Sequence, residues 1–569
     1  MKRVQVQEKQ QLQFGKRHKN MYDFKKSVVY QIYPKSFYDT DGDGVGNLSG
    51  VTAKLDYLKN LGIDYIWLTP FFVSPQRDNG YDIADYYNID PSFGTMEELN
   101  ELIKEANKRD IRLMFDMVLN HTSTEHEWFK KALAGDKYYQ DFYIWKDGKA
   151  DGTPPTNWES KFGGNAWEYV PSIGKWYLHL FDVTQADLNW ENPNVRKELQ
   201  KIIRFWIDKG VKAFRFDVIN LISKSCYEDD FEGDGRKFYT DGVRVHEYLK
   251  ELNKATFGTD AEIITVGEMS STNLENCVKY AGADQDELTM VFSFHHLKVD
   301  FVGNQKWVLV PFDFKKLKNI LFDWQTEMAK NNAWNALFWC NHDQPRVVSR
   351  FGNTDEYWKK SAKMLATVIH CMRGTPYIYQ GEEIGMTNAD FENINQYRDV
   401  ESLNYFEILK NQGLNEQSAY QILKVHSRDN SRTPMQWNES ENAGFTTGTP
   451  WISVNPNYKH ISAENQINDE NSIFNHYKKL INLRKQYDVI AYGNIIPLEV
   501  NHDSVFAYMR KYKNEQMIII NQFYKTETTW KYPIDLSGFK CILSNYNDCN
   551  IQNNNILRPY ESMVLYKKD

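Results

Sequence analysis

Three acidic residues each close a short apolar run. Asp217 ends AFRFD, Glu268 ends IITVGE and Asp343 ends ALFWCNHD. If the three carboxyls meet at one rim, their crowding raises proton affinity, and one can keep its proton near neutral pH. An ionised and a protonated carboxyl together can cleave a glycosidic bond. One attacks the anomeric carbon, the other protonates the leaving oxygen, and water then resolves the covalent intermediate with the second group as base. Arg215 stands two residues before Asp217, hence on the same side of a strand, where it can hold that carboxylate ionised. His121 (DMVLNH) and His342 (NHD) stand beside Asn and Asp and can bond sugar hydroxyls.

The elements that must position these groups alternate along the chain. Strand-like apolar runs lie at 28–34, 65–70, 112–118, 213–217, 263–268, 290–295, 336–343 and 375–381. Between most of them run amphipathic helical patterns such as TMEELNELIKEANKRD and NPNVRKELQKIIRFWIDKG. Eight such units predict an α/β fold closed as a (β/α)8 TIM barrel, whose reactive groups gather at the C-terminal ends of the strands. The stretch 122–186 is too long for one connecting helix and is rich in Trp, Tyr, Gly and Asn, which predicts a small domain inserted after the third strand. Beyond about residue 490 the pattern turns to short alternating strands, which predicts an antiparallel C-terminal β-domain. The expected division is an extension over 1–22, the barrel over 23–121 and 187–485, an inserted domain B over 122–186 and the β-domain over 486–569.

Composition narrows the function further. A net charge of −8 gives no reason to expect nucleic acid or an anionic membrane as partner. Aromatic residues reach 15 %, enough for both a large core and sugar-stacking platforms. The six cysteines are scattered with no C-x-x-C pair, as expected of a reduced, cytoplasmic protein. The first twenty residues are polar and basic with no apolar core, so no export signal is expected, nor any membrane span.

The segments DMVLNH, QADLNW, AFRFDVIN, VGEMS, NHDQPR and GTPYIYQGEEIG, in this order along the chain, resemble the signature regions of the α-amylase superfamily in its oligo-1,6-glucosidase branch. The resemblance runs from about residue 26 to the C-terminus. It implies Asp217 as nucleophile, Glu268 as acid/base and Asp343 as the carboxylate that holds sugar hydroxyls. It also implies that Asp82 (NGYDI) and Arg428 (SRDNSRTPMQW) close the pocket around a nonreducing glucose, and that Val218 disfavours α-1,4 bonds. No cofactor is implied for the chemistry.

The leaving group is addressed by FSFHHLKVD, where members of that branch carry Glu in place of His295. His295, His296 and Lys298 suit an anion, provided the chain turns at the rim so that all three converge. With NWESKFGG and EGDGRKFYTDG, this stretch resembles the phospho-α-glucosidases that split trehalose 6-phosphate to glucose and glucose 6-phosphate, implying a phosphorylated disaccharide as partner. The alternative expectation is an oligo-1,6-glucosidase acting on isomaltose-type bonds. DTDGDGVGN places Asp39, Asp41, Asp43, the Val45 carbonyl and Asn47 at alternate positions, a pattern of oxygen donors that suits a structural Ca²⁺.

Overall fold

The computed structural model describes residues 23–549 and 555–569; the extension expected over 1–22 lies outside the described residues. Eight parallel strands form the core: β1 (Val29–Ile32), β2 (Tyr65–Leu68), β3 (Arg112–Val118), β4 (Ala213–Asp217), β5 (Ile264–Met269), β6 (Met290–Ser293), β7 (Ala336–Leu337) and β8 (Thr375–Tyr379). They pair in the order β6-β5-β4-β3-β2-β1-β8-β7. The ring is closed between β6 and β7 only by the bridge Val291–Asn335. Nearly every residue of β1 to β6 and β8 is buried. This is why these segments read as unbroken apolar runs: a parallel sheet covered by helices has no wet face. The strand expected over 336–343 pairs over two residues only. The carbonyl of Phe338, next along the strand, accepts from His296 Nε2 at 2.8 Å instead.

The helices answer to local signals. Met96–Lys108 starts at Thr95 with a full capping box to Glu98 and buries Leu99, Leu102 and Ala106. Pro193–Asp208 is capped by Asn192, carries Pro at its first position, and buries Leu199, Ile203 and Trp206.

The inserted domain leaves and rejoins the barrel through the antiparallel pair His121–Ser123 and Gln185–Asp187. It carries a small three-stranded sheet of Trp145–Lys146, Lys175–Leu178 and Trp167–Val170. Its apolar cluster, with Trp158, Trp167 and Leu178, also takes in Val218 and Leu221 from the segment after β4. After β8 a long excursion with helices Val400–Asn411 and Glu416–His426 returns to the barrel mouth. The C-terminal domain is an antiparallel sheet built on Asn494–Glu499, Val505–Tyr512, Glu515–Gln522, Ser562–Lys568 and Lys540–Ser544, in that spatial order. Cys541 and Cys549 are disulfide-bonded there, where a fully reduced set was expected; the other four cysteines are free. No helix among the described residues is long and apolar enough to cross a membrane.

Candidate active site

Strand register assembles the acids. β4 sets Arg215 beside Asp116 of β3 and Phe216 beside Gly267 of β5, so Asp217 and Glu268 emerge together at the rim. Arg215, 1 % exposed, is the hub. Its Nη1 donates to Asp217 Oδ1 at 2.6 Å and to Asp116 Oδ1 at 2.7 Å, and its Nη2 donates to Glu268 Oε2. Asp217 and Glu268 therefore share one guanidinium, and Glu268 is also within hydrogen-bonding reach of Asp217. Two carboxyls that share one guanidinium are close neighbours, as double displacement requires. Just past Asp217 the chain turns sharply. Val218 has φ 35° and ψ 40°, a conformation costly for a β-branched residue, and the inserted domain's apolar cluster holds it there.

One cation facing three carboxyls cannot neutralise them all. Burial is the largest effect at Glu268 and raises its pKa well above the ordinary range; Arg215 opposes the rise, while Asp217 and Asp343 reinforce it. Asp116, beneath the rim, is pushed up to about 7 by burial against the pull of Arg215. Its environment thus favours the protonated form of Glu268, as a general acid requires.

Asp343 lies past the short β7, not at its end. Burial opposes its ionisation, but His342, Arg428, Arg432 and Arg215 outweigh burial and hold its pKa below the ordinary range. The guanidiniums carry most of that effect, because burial keeps His342 itself neutral with a pKa of about 3. Arg432 Nη2 donates to Asp343 Oδ1 at 2.8 Å and Arg428 Nη1 to the same oxygen at 3.3 Å. His342 stands behind Asp343, with Nε2 3.2 Å from its carboxylate and Nδ1 accepting from Gln31 Nε2 at 2.8 Å.

These groups line one end of a cavity of about 260 Å³. Arg428 closes that end, but with Asp78 at 3.2 Å, not with Asp82. Asp82 points away: its carboxylate accepts from Ser74 Oγ and from the amides of Arg77 and Asp78, so it caps the turn that presents Asp78. His121 lines the cavity, yet its ring nitrogens sit 3.2 Å from Asn120 Nδ2 and from the Tyr81 carbonyl. It offers sugar its face, with no free donor.

At the open end the chain does turn after β6, through a single helical turn over His295–Leu297. The three expected cationic groups nevertheless do not converge. His295 packs on Trp324 with ring centroids 4.5 Å apart, and His296 bonds the Phe338 carbonyl at the barrel seam. Burial lowers both pKa values to about 4, so neither ring is charged at neutral pH. Lys298 alone of the three lines the cavity. Its counterpart is Lys161 of the inserted domain, whose pKa is lowered to about 7, mainly by burial, then by Arg236, with Lys298 adding to the effect. Among the described residues neither ammonium forms an ion pair, whereas Lys306, also on the lining, pairs with Glu401 at 2.8 Å.

The five expected metal donors do not form a donor set, and no group of three metal-binding acidic, His or Cys side chains occurs among the described residues. Asp39 spends its carboxylate on the amides of Asp41, Gly42 and Gly44 and on the Thr446 hydroxyl. Asn47 accepts from Gly50 N as a helix cap, Asp43 accepts from Val45 N, and Asp41 is exposed. The loop is a knuckle docked on 446–450: at Gly44, with φ 92°, an added Cβ would sit 1.8 Å from the Thr449 carbonyl oxygen. As arranged, the loop does not fit the ion.

Of the groups singled out from sequence, Asp217, Glu268, Asp343, His121, Arg428 and Lys298 line the cavity. Arg215 and His342 back the carboxylates; Asp82, His295 and His296 do not reach the cavity. Asp78 and Lys161 were missed: Asp78 stands immediately before NGYDI, four residues before Asp82, and Lys161 lies inside NWESKFGG.

The alpha-amylase catalytic-domain model matches residues 31–493. The chain is 56 % identical over 547 residues to the trehalose-6-phosphate hydrolase of Bacillus subtilis (strain 168), covering 95 % of this chain and 97 % of that one. It is 48 % identical over 556 residues to the oligo-1,6-glucosidase of Bacillus cereus, covering 96 % and 99 %. The crystal structure of Bacillus licheniformis trehalose-6-phosphate hydrolase is similar at TM-score 0.91 and 56 % identity, covering 96 % of this chain and all of that one.

Proposed function

The chain belongs to the alpha-amylase family of glycoside hydrolases, and from that premise we propose that it cleaves trehalose 6-phosphate to glucose and glucose 6-phosphate with retention. The observation that carries this reading is a pair of lysines with no salt-bridge partner among the described residues, Lys298 and Lys161, lining the same cavity as Arg428 and Asp78. A sugar phosphate brings about −1.5 to −2 charges at neutral pH, and two half-buried lysines without a salt-bridge partner offer the complement.

The nonreducing glucose occupies the closed end, its hydroxyls held by Asp343, Asp78 and Arg428. Asp217, held by Arg215, attacks the anomeric carbon while Glu268 gives its proton to the bridging oxygen. Glucose 6-phosphate departs past Lys298 and Lys161. Water then enters, Glu268 takes its proton, and the oxygen displaces Asp217 to release glucose. Two carboxyls and water complete this cycle, so no cofactor takes part. We also propose the division read from the sequence, with 122–186 as domain B between the barrel segments 23–121 and 187–485 and 486–569 as the C-terminal domain; the cavity's dual lining, Lys161 from one and Lys298 from the other, supports it. The four free cysteines support a cytoplasmic site of action.

The test is glucose release from trehalose 6-phosphate, trehalose and isomaltose, compared by kcat/KM on one preparation. Trehalose 6-phosphate should lead; a preference for isomaltose would replace this reading with that of an oligo-1,6-glucosidase.

A further inference from the structure

The strand that carries Glu268 ends at Met269, and the next two residues, Ser270 and Ser271, line the cavity. Ser271 stands at φ 56°, in the left-handed region, where a residue with a side chain stays only if its neighbours hold it. The holding group is Asn220, three residues past Asp217. Its Nδ2 donates to the Ser270 carbonyl and its Oδ1 accepts from the Ser270 amide, both at 2.9 Å. One carboxamide thus fixes both backbone groups of the residue two past Glu268.

Asn220 is held in turn. Its Nδ2 also donates to Asp241 Oδ1 at 3.0 Å, and the Asp241 amide donates to the Asn220 carbonyl at 3.0 Å. Asp241 Oδ1 accepts from the Tyr280 hydroxyl at 2.7 Å, and its Oδ2 accepts from Thr272 Oγ1 at 2.7 Å and Asn276 Nδ2 at 2.8 Å. Thr272 follows Ser271, while Asn276 and Tyr280 belong to the helix Leu274–Ala281. A carboxylate has about four acceptor sites, and here four side chains fill them, two on each oxygen. The brace therefore grips the turn 270–271 from the β4 side through Asn220 and from the β5 side through Thr272. Apolar packing could fill the same space but would not set the direction of the Ser270 amide and carbonyl.

We propose that Asp241 is a positioning residue for the acid/base: through Asn220 and Thr272 it fixes the segment that follows Glu268, and so the aim of the Glu268 carboxyl. The inference rests on the role given to Glu268 above. Asp241 does not line the cavity, so it acts only through these partners.

The experiment is turnover of p-nitrophenyl α-glucoside with and without azide. Water needs Glu268 as base to displace Asp217; azide needs no base, and its nitrogen bonds the anomeric carbon while the bond to Asp217 breaks and returns its electron pair to that carboxylate. Asp241→Asn puts an amide NH₂ where two donors point and should lower kcat roughly 100-fold, the usual cost of a misplaced reacting group. Azide should restore much of that turnover and give glucosyl azide by mass spectrometry, while leaving the wild type unaccelerated. A merely structural loss is not restored by azide. Asn220→Ala and Asp241→Asn should not add in the double variant, because they act along one chain of contacts. Thr272→Val keeps the carboxylate and removes one donor; it should show a smaller loss with the same azide response, and it serves where Asp241→Asn does not fold. Wild-type kcat in both Asp241→Asn and Thr272→Val, losses that azide leaves in place, or full additivity with Asn220→Ala overturns the proposal. The donor carries no phosphate, so a wild type that prefers isomaltose to trehalose 6-phosphate sinks the substrate reading alone, and loss without azide response sinks this one alone.

Discussion

Lys161 gives the substrate preference a pH signature of its own. Its pKa of about 7 means that about half the free enzyme carries the charge at pH 7, and about one part in eleven at pH 8. The substrate phosphate, with a second pKa of about 6, is almost wholly dianionic over that range. If the charged lysine is the competent form, kcat/KM for trehalose 6-phosphate relative to p-nitrophenyl α-glucoside should fall about fivefold from pH 7 to pH 8, since one half divided by one eleventh is about 5.5. Below pH 6 the ratio should fall again as the phosphate takes up a proton, so the profile is a bell centred near pH 6.5. Protonation of Glu268 serves both substrates and cancels in the ratio. Lys161→Met removes one charge-assisted hydrogen bond, worth about 1.5–3 kcal/mol, or roughly 10- to 150-fold in the ratio near the maximum. Lys161→Arg keeps its charge throughout and should flatten the alkaline limb. A wild-type ratio that stays level between pH 7 and 8, or an Arg variant that falls like the wild type, would refute the assignment of Lys161 to the phosphate.

Two further outcomes follow from the same site. Asp78→Asn should cost roughly 10- to 150-fold in kcat/KM on phosphorylated and neutral substrates alike, through a lost charged hydrogen bond to the pocketed glucose. Asp82→Asn should instead appear as a lower Tm, since three donors of the turn lose their carboxylate; equal kinetic losses with unchanged stability in both variants would restore Asp82 to the pocket. Chelation with EDTA should leave Tm and kcat/KM unchanged, because Asp39 is already engaged by three backbone amides and Thr446. A drop in Tm reversed by added Ca²⁺ would show that the loop is metal-held.

The barrel was legible because its strands are buried on both faces, and a run such as RLMFDMV admits few other readings. The acid pair was legible for a related reason: a carboxyl at the end of such a run has nowhere to go but the rim. What failed was direction within a turn. Asp78 and Asp82 are both acidic and four residues apart, and which of them faces the pocket depends on Ser74 and two amides capturing the other. His295 and His296 looked like anion ligands from composition alone, but Trp324 and the Phe338 carbonyl claim them. The aspartates of 39–43 looked like cation ligands in the same way, yet Asp39 is taken by amides of its own loop and by the hydroxyl of Thr446, far downstream. For His295, His296 and Asp39 a deciding contact is distant in sequence, which local pattern cannot report; for Asp82 the contacts are local, and what the pattern does not report is which acid of the turn they capture.

The Arg428–Asp78 contact joins residues 350 positions apart, and Asp343 relies on Arg428 and Arg432 for the charge that offsets its burial. During synthesis, then, the nucleophile and the acid/base are already made while the wall that holds their substrate is not. A nascent chain halted before Arg428 carries both reacting carboxyls and yet has no place to seat a sugar. Competence therefore cannot precede the synthesis of Arg428, about three quarters of the way along the 569-residue chain.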